Sequence, residues 1–282
     1  MSNLPATEFQ REVSAGQRFE FGKNWRRFLN TLNEQRIARA EESLRSYLGV
    51  DDLRGRSFLD VGSGSGLFSL AARRLGASVR SLDYDPVAVE CARELRRRYY
   101  PDDDAWIIER GSALDAPYLT SLGTFDVVYS WGVLHHTGAM WQALENVSAL
   151  VVPGGSLFIS IYNDQGRTSR RWWRYKRAYN RLPRGVRFAL LLPVALRNWG
   201  PSTVRDLARG RPFASWRAYS QRRGMTPWTD VVDWVGGFPF EVARPEQVFD
   251  FFRQRGYELR KLKTVGGGIG CNEFVFVRAA SR

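Results

Sequence analysis

The strongest constraint on the fold is a glycine-rich segment in the first quarter of the chain. Residues 58–61 read Phe-Leu-Asp-Val, glycine follows at positions 62, 64 and 66, and residues 67–75 carry apolar side chains at helical spacing. This order predicts a strand, a tight turn and a helix. Glycine lets a backbone turn sharply and lets a ligand approach it closely, and a helix N-terminus offers unpaired N–H groups. The segment therefore predicts a ligand site at the turn.

Apolar runs of strand length alternate with segments of helical spacing along the chain. The predicted strands cover residues 58–61, 79–82, 106–108, 125–129, 157–162, 259–265 and 273–277. One predicted helix starts at Asp85-Pro86, with an acid at the N-cap and proline at the first helical position, and another covers 143–152. Strands separated by helices pair in parallel through right-handed crossovers. We therefore expect an α/β, three-layer, Rossmann-like fold. Because the glycine turn 266–270 joins the last two strands directly, the last strand should be antiparallel.

Two segments lie outside this alternation. Residues 1–54 are predicted to form an N-terminal helical cap, with frayed polar residues over 1–20 and helical spacing from Phe21 to Tyr47. Residues 164–240 are predicted to form a basic, aromatic, helical insertion after the fifth strand. The core of the fold is therefore assigned to residues 55–163 and 241–282.

The positive charge of the chain is concentrated in this insertion. The formal net charge is +13, and residues 164–224 contain 16 Lys or Arg against two acids, so the remainder nets −1. Such a segment attracts phosphates on membranes or nucleic acids, although arginine-rich usage with solvated charges is an equally good reading. Three roles stay open: a lid over a small substrate, a peripheral contact with an anionic membrane through Phe188–Leu196, or RNA binding. The sequence favours the lid, and the absence of an appended RNA-binding fold or an Asn-Pro-Pro-Tyr-like motif disfavours nucleic acid.

Two cofactor classes compete for the glycine turn. A dinucleotide fingerprint needs a glycine at its sixth position, where this chain has Leu67. Asp83, at the end of the second strand, suits the ribose hydroxyls of either NAD or S-adenosylmethionine. The missing glycine and the antiparallel last strand favour S-adenosylmethionine.

Four motifs, taken together and in order, resemble the class I S-adenosylmethionine-dependent methyltransferases. They are Asp60-Val-Gly-Ser-Gly-Ser-Gly66, Leu82-Asp-Tyr-Asp85, Phe125-Asp-Val-Val-Tyr-Ser130 and Leu150-Val-Val-Pro-Gly-Gly155. The resemblance covers about residues 55–163 and 245–279 and implies a seven-stranded sheet in the order 3-2-1-4-5-7-6. In detail the chain is similar to the small-molecule branch that includes quinone-biosynthesis O-methyltransferases.

The resemblance also implies roles for individual residues. The methionine part of the cofactor is assigned to Asp60, Gly62, Ser63, Gly64 and Gly66, the ribose to Asp83, the adenine to Tyr84, Ser112 and Ala113, and the border of the sulfonium pocket to Trp131. The family usually has Gly-Asp-Ala where this chain has Gly111-Ser112-Ala113, so the adenine contact falls to Ser112 or to the nearby Asp115.

Candidates for the acceptor side gather at the same edge of the predicted sheet. His135 and His136 are the only histidines and follow the fourth strand, and an unperturbed imidazole suits a general base at neutral pH. The competing interpretation is that one histidine packs structurally and caps the following helix while the other lies on the surface, and Glu273 is a second candidate base. Further candidate acceptor contacts are Phe21, Trp25, Tyr162, Asn163 and Asn272. No metal-ligand spacing occurs, so we expect no metal.

Together these features predict base-assisted methyl transfer from S-adenosylmethionine to a small or lipid-like acceptor, with a hydroxyl favoured over carbon, nitrogen or sulfur. An RNA-directed methyltransferase and a non-catalytic adapter remain as alternatives. Cys91 and Cys271 lie far apart and are expected to be reduced thiols. With no signal peptide and no apolar run of about 18 residues, we expect a cytoplasmic protein, with peripheral membrane contact left open.

Overall fold

The computed structural model describes residues 6–223 and 226–280. Its strands form one seven-stranded sheet in the order β3-β2-β1-β4-β5-β7-β6, in which β7 is antiparallel to both of its neighbours. The strands are β1 (Ser57–Val61), β2 (Ser78–Asp83), β3 (Trp106–Arg110), β4 (Phe125–Trp131), β5 (Val151–Tyr162), β6 (Tyr257–Lys263) and β7 (Cys271–Arg278). The predicted fold class and strand order are therefore confirmed.

Helices flank this sheet on both faces. Within the described ranges they are α1 (Ala6–Ser14), α2 (Gly22–Leu29), α3 (Glu34–Leu48), α4 (Leu67–Arg74), α5 (Pro86–Tyr99), α6 (Ala116–Ser121), α7 (Met140–Ser148), α8 (Arg167–Arg181), α9 (Phe188–Ala208), α10 (Ala214–Arg223), α11 (Pro227–Gly236) and α12 (Pro245–Arg253). Short 3₁₀ turns lie at Leu134–His136 and Arg184–Val186.

The sheet separates two apolar cores because successive strand residues point to opposite faces. Phe58 packs with α3, α4 and α5 residues, whereas its neighbour Leu59 packs with α7 and α12 residues. Both side chains are fully buried. Parallel pairing of β1 with β2 and with β4 brings the carboxyl ends of these three strands to one edge of the sheet, where the glycine turn lies.

Two local predictions are wrong. Residues 6–14 form α1 and are not frayed, since Phe9 is buried. Val151 and Val152 belong to β5 and not to a helix, because Val151 pairs with Phe125 across a bulge in the β4–β5 ladder. The predicted helical span 21–47 is interrupted at residues 30–33, where Asn33 caps α3 by accepting a hydrogen bond from the Arg36 backbone N–H.

The insertion folds around a small apolar cluster of its own. Tyr179, Leu191, Val194, Val231 and Val235 are buried together between α8, α9 and α11. Among the described residues, no helix combines the length and apolarity needed to cross a membrane. The insertion is thus a packed helical unit, placed after β5 and therefore beside the same sheet edge as the glycine turn.

The glycine turn depends on left-handed backbone angles and close packing. Gly62, Gly64 and Gly66 have φ values of 81°, 56° and 80°, a region that side chains disfavour. A Cβ at Gly66 would lie 2.9 Å from the Ala92 Cα of α5. Glycine at this position therefore permits both the turn and the contact between α4 and α5.

Comparing Gly66→Ala with Gly123→Ala separates the cost of the left-handed backbone from the cost of overpacking between α4 and α5. Gly123 has nearly the same φ, 79°, but nothing within 4 Å of an added Cβ. We expect Gly123→Ala to lower the free energy of unfolding by about 1–2 kcal/mol through backbone strain, and Gly66→Ala to cost about 1–3 kcal/mol more through overpacking. Urea denaturation of the two variants measures the difference. Equal losses would show that the α4–α5 contact imposes no constraint.

Candidate functional site

One cavity of about 1090 Å³ lies at the carboxyl edge of the parallel strands. Its floor comes from the glycine turn and the ends of β2, β3 and β4, and its walls from the N-terminal segment and from α8, α9 and α11. Ligand pockets usually measure about 300–1,000 Å³. The cavity is therefore large enough for two ligands side by side, one against the sheet and one against the insertion.

Asp83 is the carboxylate that faces the cavity from the end of β2. Its Oδ2 accepts a hydrogen bond from the Gly64 backbone N–H at 2.9 Å, and its Oδ1 accepts one from the Asp85 N–H at 2.9 Å. Burial and then the charge of Asp85 raise the pKa of Asp83 to about 7, against the opposing effect of these N–H donors. The carboxyl group is thus fixed in position, and with this pKa it is about half ionised at pH 7.

Asp60 lies behind the turn and does not line the cavity. Its Oδ2 accepts a hydrogen bond from Ser69 Oγ at 2.5 Å, and Ser69 in turn accepts one from Ser81 Oγ at 2.7 Å. Burial, assisted by the charge of Asp83, raises the pKa of Asp60 to about 7. These contacts join β1, α4 and β2 beneath the turn, so Asp60 supports the backbone that meets the cavity.

The turn itself is covered by Trp25. Gly62 lines the cavity, while Gly64 lies under the Trp25 ring, whose Cε2 would be 2.9 Å from a Cβ at that position. Ser63 Oγ is buried without a hydrogen-bond partner among the described residues. Trp25 and Phe21 both line the cavity, which places the N-terminal cap directly over the turn.

Tyr84, Ser112 and Ala113 line the cavity beside Asp83. The Tyr84 ring lies under the guanidinium of Arg18, with 4.8 Å from Arg18 Cζ to the ring centroid, and burial raises the pKa of Tyr84 to about 12. Asp115 caps α6 by accepting a hydrogen bond from the Tyr118 N–H at 3.1 Å. Of the two alternatives for the adenine contact, Ser112 therefore faces the cavity and Asp115 caps a helix.

His136 lines the cavity and has a fixed ring orientation. Its Nδ1 lies 2.6 Å from the Pro239 carbonyl oxygen; because a carbonyl only accepts, Nδ1 carries the proton and Nε2 keeps its lone pair. Burial, with the charges of Lys176 and Arg18, lowers the pKa of His136 to about 3. The premise of an unperturbed imidazole is therefore wrong, and the ring is a neutral hydrogen-bond acceptor at working pH.

His135 lies one layer deeper. Its ring packs against His136 and Tyr162, with centroid distances of 4.5 and 4.0 Å, and only 1% of the residue is exposed. Burial holds the pKa of His135 well below its usual value. His135 itself does not line the cavity, whereas Tyr162, against which it packs, does.

The start of β7 places its candidates in different surroundings. Glu273 lines the cavity but accepts a hydrogen bond from the Tyr47 hydroxyl and lies 3.6 Å from Lys263 Nζ. Asn272 is buried, accepting from the Val265 N–H and donating to Asn163 Oδ1, both at 3.1 Å. Asn163 and Asn272 therefore hold the loop before β7 and do not line the large cavity.

Sequence reasoning missed two titratable side chains in the insertion, Lys176 and Asp233, whose pKa values are shifted by burial. Lys176 on α8 is fully buried and donates to the Trp234 carbonyl, 4.2 Å from the Trp234 ring centroid. Burial lowers its pKa to about 7, and burial raises the pKa of Asp233, which lines the cavity and accepts from Asn24 Nδ2, to about 7. The signal for Lys176 was its spacing from Trp172 and Tyr179, which puts it on the buried face of α8.

Phe9, Arg18 and Phe19 were missed as well, although they line the cavity from the N-terminal segment. Phe19 N–H donates to the Phe238 carbonyl at 2.9 Å, and Arg18 donates to the His136 carbonyl at 3.0 Å. The polar composition of residues 1–20 gave no indication of these contacts, which form only when the segment packs on the insertion.

The chain is similar to known methyltransferases in both sequence and fold. Curated relatives include the ubiquinone biosynthesis O-methyltransferases of Xanthomonas campestris pv. campestris (strain B100), 28% identical over 57% of this chain and 63% of the relative, and of Xanthomonas oryzae pv. oryzae (strain PXO99A), 32% identical over 40% and 45%. The chain thus spans less than two thirds of the length of these relatives.

Solved structures similar to the chain include magnesium protoporphyrin IX methyltransferase from Synechocystis PCC 6803 with bound SAH. The TM-score is 0.50 and the identity 14%, over 97% of this chain and 95% of that one, a likeness that shows the shared fold. The family described as "Methyltransferase domain" matches residues 26–189, more than half of the sequence. The chain therefore belongs to the methyltransferase-domain family, whose class I members use S-adenosylmethionine as the sequence led us to expect.

Proposed function

We propose that the protein transfers a methyl group from S-adenosylmethionine to a hydroxyl of a small molecule. The observation that carries this proposal is the continuity of one cavity from Asp83 and the glycine turn to the aromatic wall of the insertion. Such a cavity allows a donor and an acceptor to bind in contact, and alignment of the two is the main contribution that a methyltransferase makes.

The residues at the sheet edge fit the cofactor. Asp83 presents a carboxylate suited to two ribose hydroxyls, Gly62 presents backbone without a side chain, and Tyr84 with Ser112 and Ala113 offers a surface for the adenine. Trp131, which is 41% exposed at the end of β4, borders the region between the two halves of the cavity. When bound, S-adenosylmethionine supplies an activated methyl group, so the chain need only hold and orient its partner.

His136 is the group best placed to orient an acceptor hydroxyl. The Pro239 carbonyl fixes its tautomer, which leaves Nε2 able to accept a hydrogen bond from the hydroxyl and so to aim its oxygen at the methyl group. With a pKa of about 3, the ring is a weak base, so it orients the hydroxyl, and the hydroxyl proton leaves to solvent water as the oxygen takes the methyl group. Glu273 is the second candidate, although Tyr47 and Lys263 already engage its carboxylate.

The curated relatives support oxygen as the acceptor atom, since they are named O-methyltransferases. We further propose that residues 164–240 act as a lid, because three of their helices form a wall of the cavity. The outer face of α9 carries Phe188, Leu192 and Leu196, which are 53%, 40% and 60% exposed. This exposed stripe, flanked by arginines, favours a peripheral contact with an anionic membrane.

Cofactor affinity should depend on pH through Asp83. The carboxylate form accepts the ribose hydrogen bonds, and its pKa is about 7, so S-adenosylhomocysteine should bind about tenfold more tightly at pH 8 than at pH 6. Asp83→Asn should weaken binding and remove this dependence, whereas Asp102→Asn, at an exposed position, should change neither. Isothermal titration at both pH values measures the effect. Equal wild-type affinity at pH 6 and 8 would contradict the assignment.

Two substitutions test His136. Asparagine retains a donor for the Pro239 carbonyl but lacks Nε2, while glutamine places an amide near Nε2 and loses that donor. We expect His136→Asn to lower turnover about 100-fold through loss of the hydrogen bond that aligns the acceptor, with cofactor affinity unchanged. S-adenosylhomocysteine release measures turnover, and His136→Gln serves as the matched comparison. Normal turnover in His136→Asn would remove His136 from the reaction.

The membrane contact is tested by sedimentation with vesicles. Wild-type protein should bind vesicles that contain phosphatidylglycerol, and Leu192→Ser with Leu196→Ser should weaken binding at least about tenfold by removing buried apolar area. Ile107→Ser, at an exposed position on β3 outside the insertion, should have no effect. Binding to single-stranded RNA in preference to these vesicles would favour the RNA alternative instead.

A further inference from the structure

The wall that the insertion contributes to the cavity carries two guanidinium groups. Arg171 on α8 and Arg197 on α9 both line the cavity and are exposed to solvent. They come from different helices, so the packing of α8 against α9 brings them to one space. Neither sequence motif nor family resemblance had assigned a role to either residue.

Neither guanidinium has a carboxylate partner among the residues that the structure describes. In contrast, Arg18, which lines the same cavity, lies 2.6 Å from Glu12. Two carboxylates share the wall: Asp233 is bonded to Asn24 and faces the charge of Lys176, and Asp230 lies in the first turn of α11. Lys176 balances Asp233, so the two arginines against Asp230 leave this part of the cavity positively charged.

Between these charges and the sheet edge, the cavity is lined by aromatic rings. Trp172, Tyr175 and Trp234 come from the insertion, and Phe19 and Phe21 from the N-terminal segment. The Trp172 and Trp234 rings meet edge to face, with centroids 5.1 Å apart and planes at 75°. Both rings line the cavity, so they offer it an apolar aromatic surface against which a planar ring can pack.

We propose that the acceptor is a planar aromatic molecule with an anionic substituent, a carboxylate or a phosphate. Its ring packs among Trp172, Tyr175 and Trp234, and its anionic group pairs with Arg171 and Arg197. Arginine suits this task because its planar fork binds both kinds of group through two parallel hydrogen bonds. This inference rests on the proposed methyltransferase function and names the substrate class for the same site.

The arrangement also gives the charge of the insertion a second use. Residues 164–224 hold the whole positive excess of the chain, and a field of one sign around a cavity raises the local concentration of oppositely charged ligands. An anionic acceptor would be attracted toward the opening and held at its rim, with its uncharged end directed to His136 and Trp131.

The test compares ligands that share one ring and differ only in charge. The affinities of 2-naphthol, 2-naphthoate and 2-naphthyl phosphate are measured by isothermal titration in saturating S-adenosylhomocysteine, with octanoate as an anion that lacks a ring. We expect one or both aromatic anions to bind at least about tenfold more tightly than 2-naphthol and than octanoate, as is typical of charged hydrogen bonds. Whichever of carboxylate and phosphate binds better identifies the anionic group.

Two double variants assign the effect to the named arginines. In Arg171→Gln with Arg197→Gln, the preference for the anion should disappear while the affinity for 2-naphthol stays the same. In Arg170→Gln with Arg174→Gln, which removes the same charge from exposed positions on α8 that do not line the cavity, the preference should persist. Equal wild-type affinities for charged and neutral rings, no binding of any ring, or a preference that survives in the first variant would each overturn the inference.

The same titrations distinguish failure of this inference from failure of the proposed function. If S-adenosylhomocysteine itself does not bind in the micromolar range, the methyltransferase proposal fails first. If it binds and its affinity is the same in both double variants, but the aromatic anions show no preference, only the assignment of the acceptor class is wrong.

Discussion

The site depends on hydrogen bonds that join the glycine turn to the end of β2. The N–H groups of Gly62 and Ser63 both donate to the Leu82 carbonyl, at 2.7 and 2.9 Å, and the next N–H, from Gly64, reaches the Asp83 carboxylate. Gly62 and Gly64 have left-handed backbone angles, which only glycine adopts readily. These angles let three consecutive N–H groups point toward the end of β2. The turn and the carboxylate are therefore positioned by one set of contacts, before any ligand binds.

The contacts that position the glycine turn and the cavity wall require several ionisable side chains to be buried. Asp60, Asp83 and Asp233 are acids whose burial raises the pKa to about 7, and Lys176 is a base whose burial lowers the pKa to about 7. A raised acid pKa means that the folded state binds protons more tightly than the unfolded chain, so between about pH 4 and 7 these acids reduce stability as pH rises. The cost from Lys176 is fully present below about pH 7 and fades as the pH rises from about 7 to 10.5. Shifted pKa values of this kind are concentrated at ligand-binding and catalytic sites.

The sheet order and the glycine turn could be predicted because strand patterns, N-cap acids and glycine spacing are local properties of the sequence. Asp83 was found for the same reason, since the end of a parallel strand is a defined place in the fold. The state of His136 could not be predicted. Its pKa depends on burial, on the hydrogen bond to the Pro239 carbonyl and on the charges of Lys176 and Arg18, which come from distant parts of the chain. Lys176 and Asp233 were missed for the same cause, as 57 positions separate them in the sequence.

The insertion contributes to the site in a way that its composition alone does not convey. Most of its arginines are exposed to solvent, whereas its inner faces place Trp172, Tyr175 and Trp234 along the wall of the cavity. Asn180 fastens α8 to the end of α11 through the Gly236 carbonyl at 2.7 Å, and Lys176 fastens it through that of Trp234. The loop that follows α11 carries Pro239, whose carbonyl sets the tautomer of His136. A shift of α8 would therefore move the aromatic wall and release the histidine together, so the position of α8 sets both parts of the candidate acceptor site.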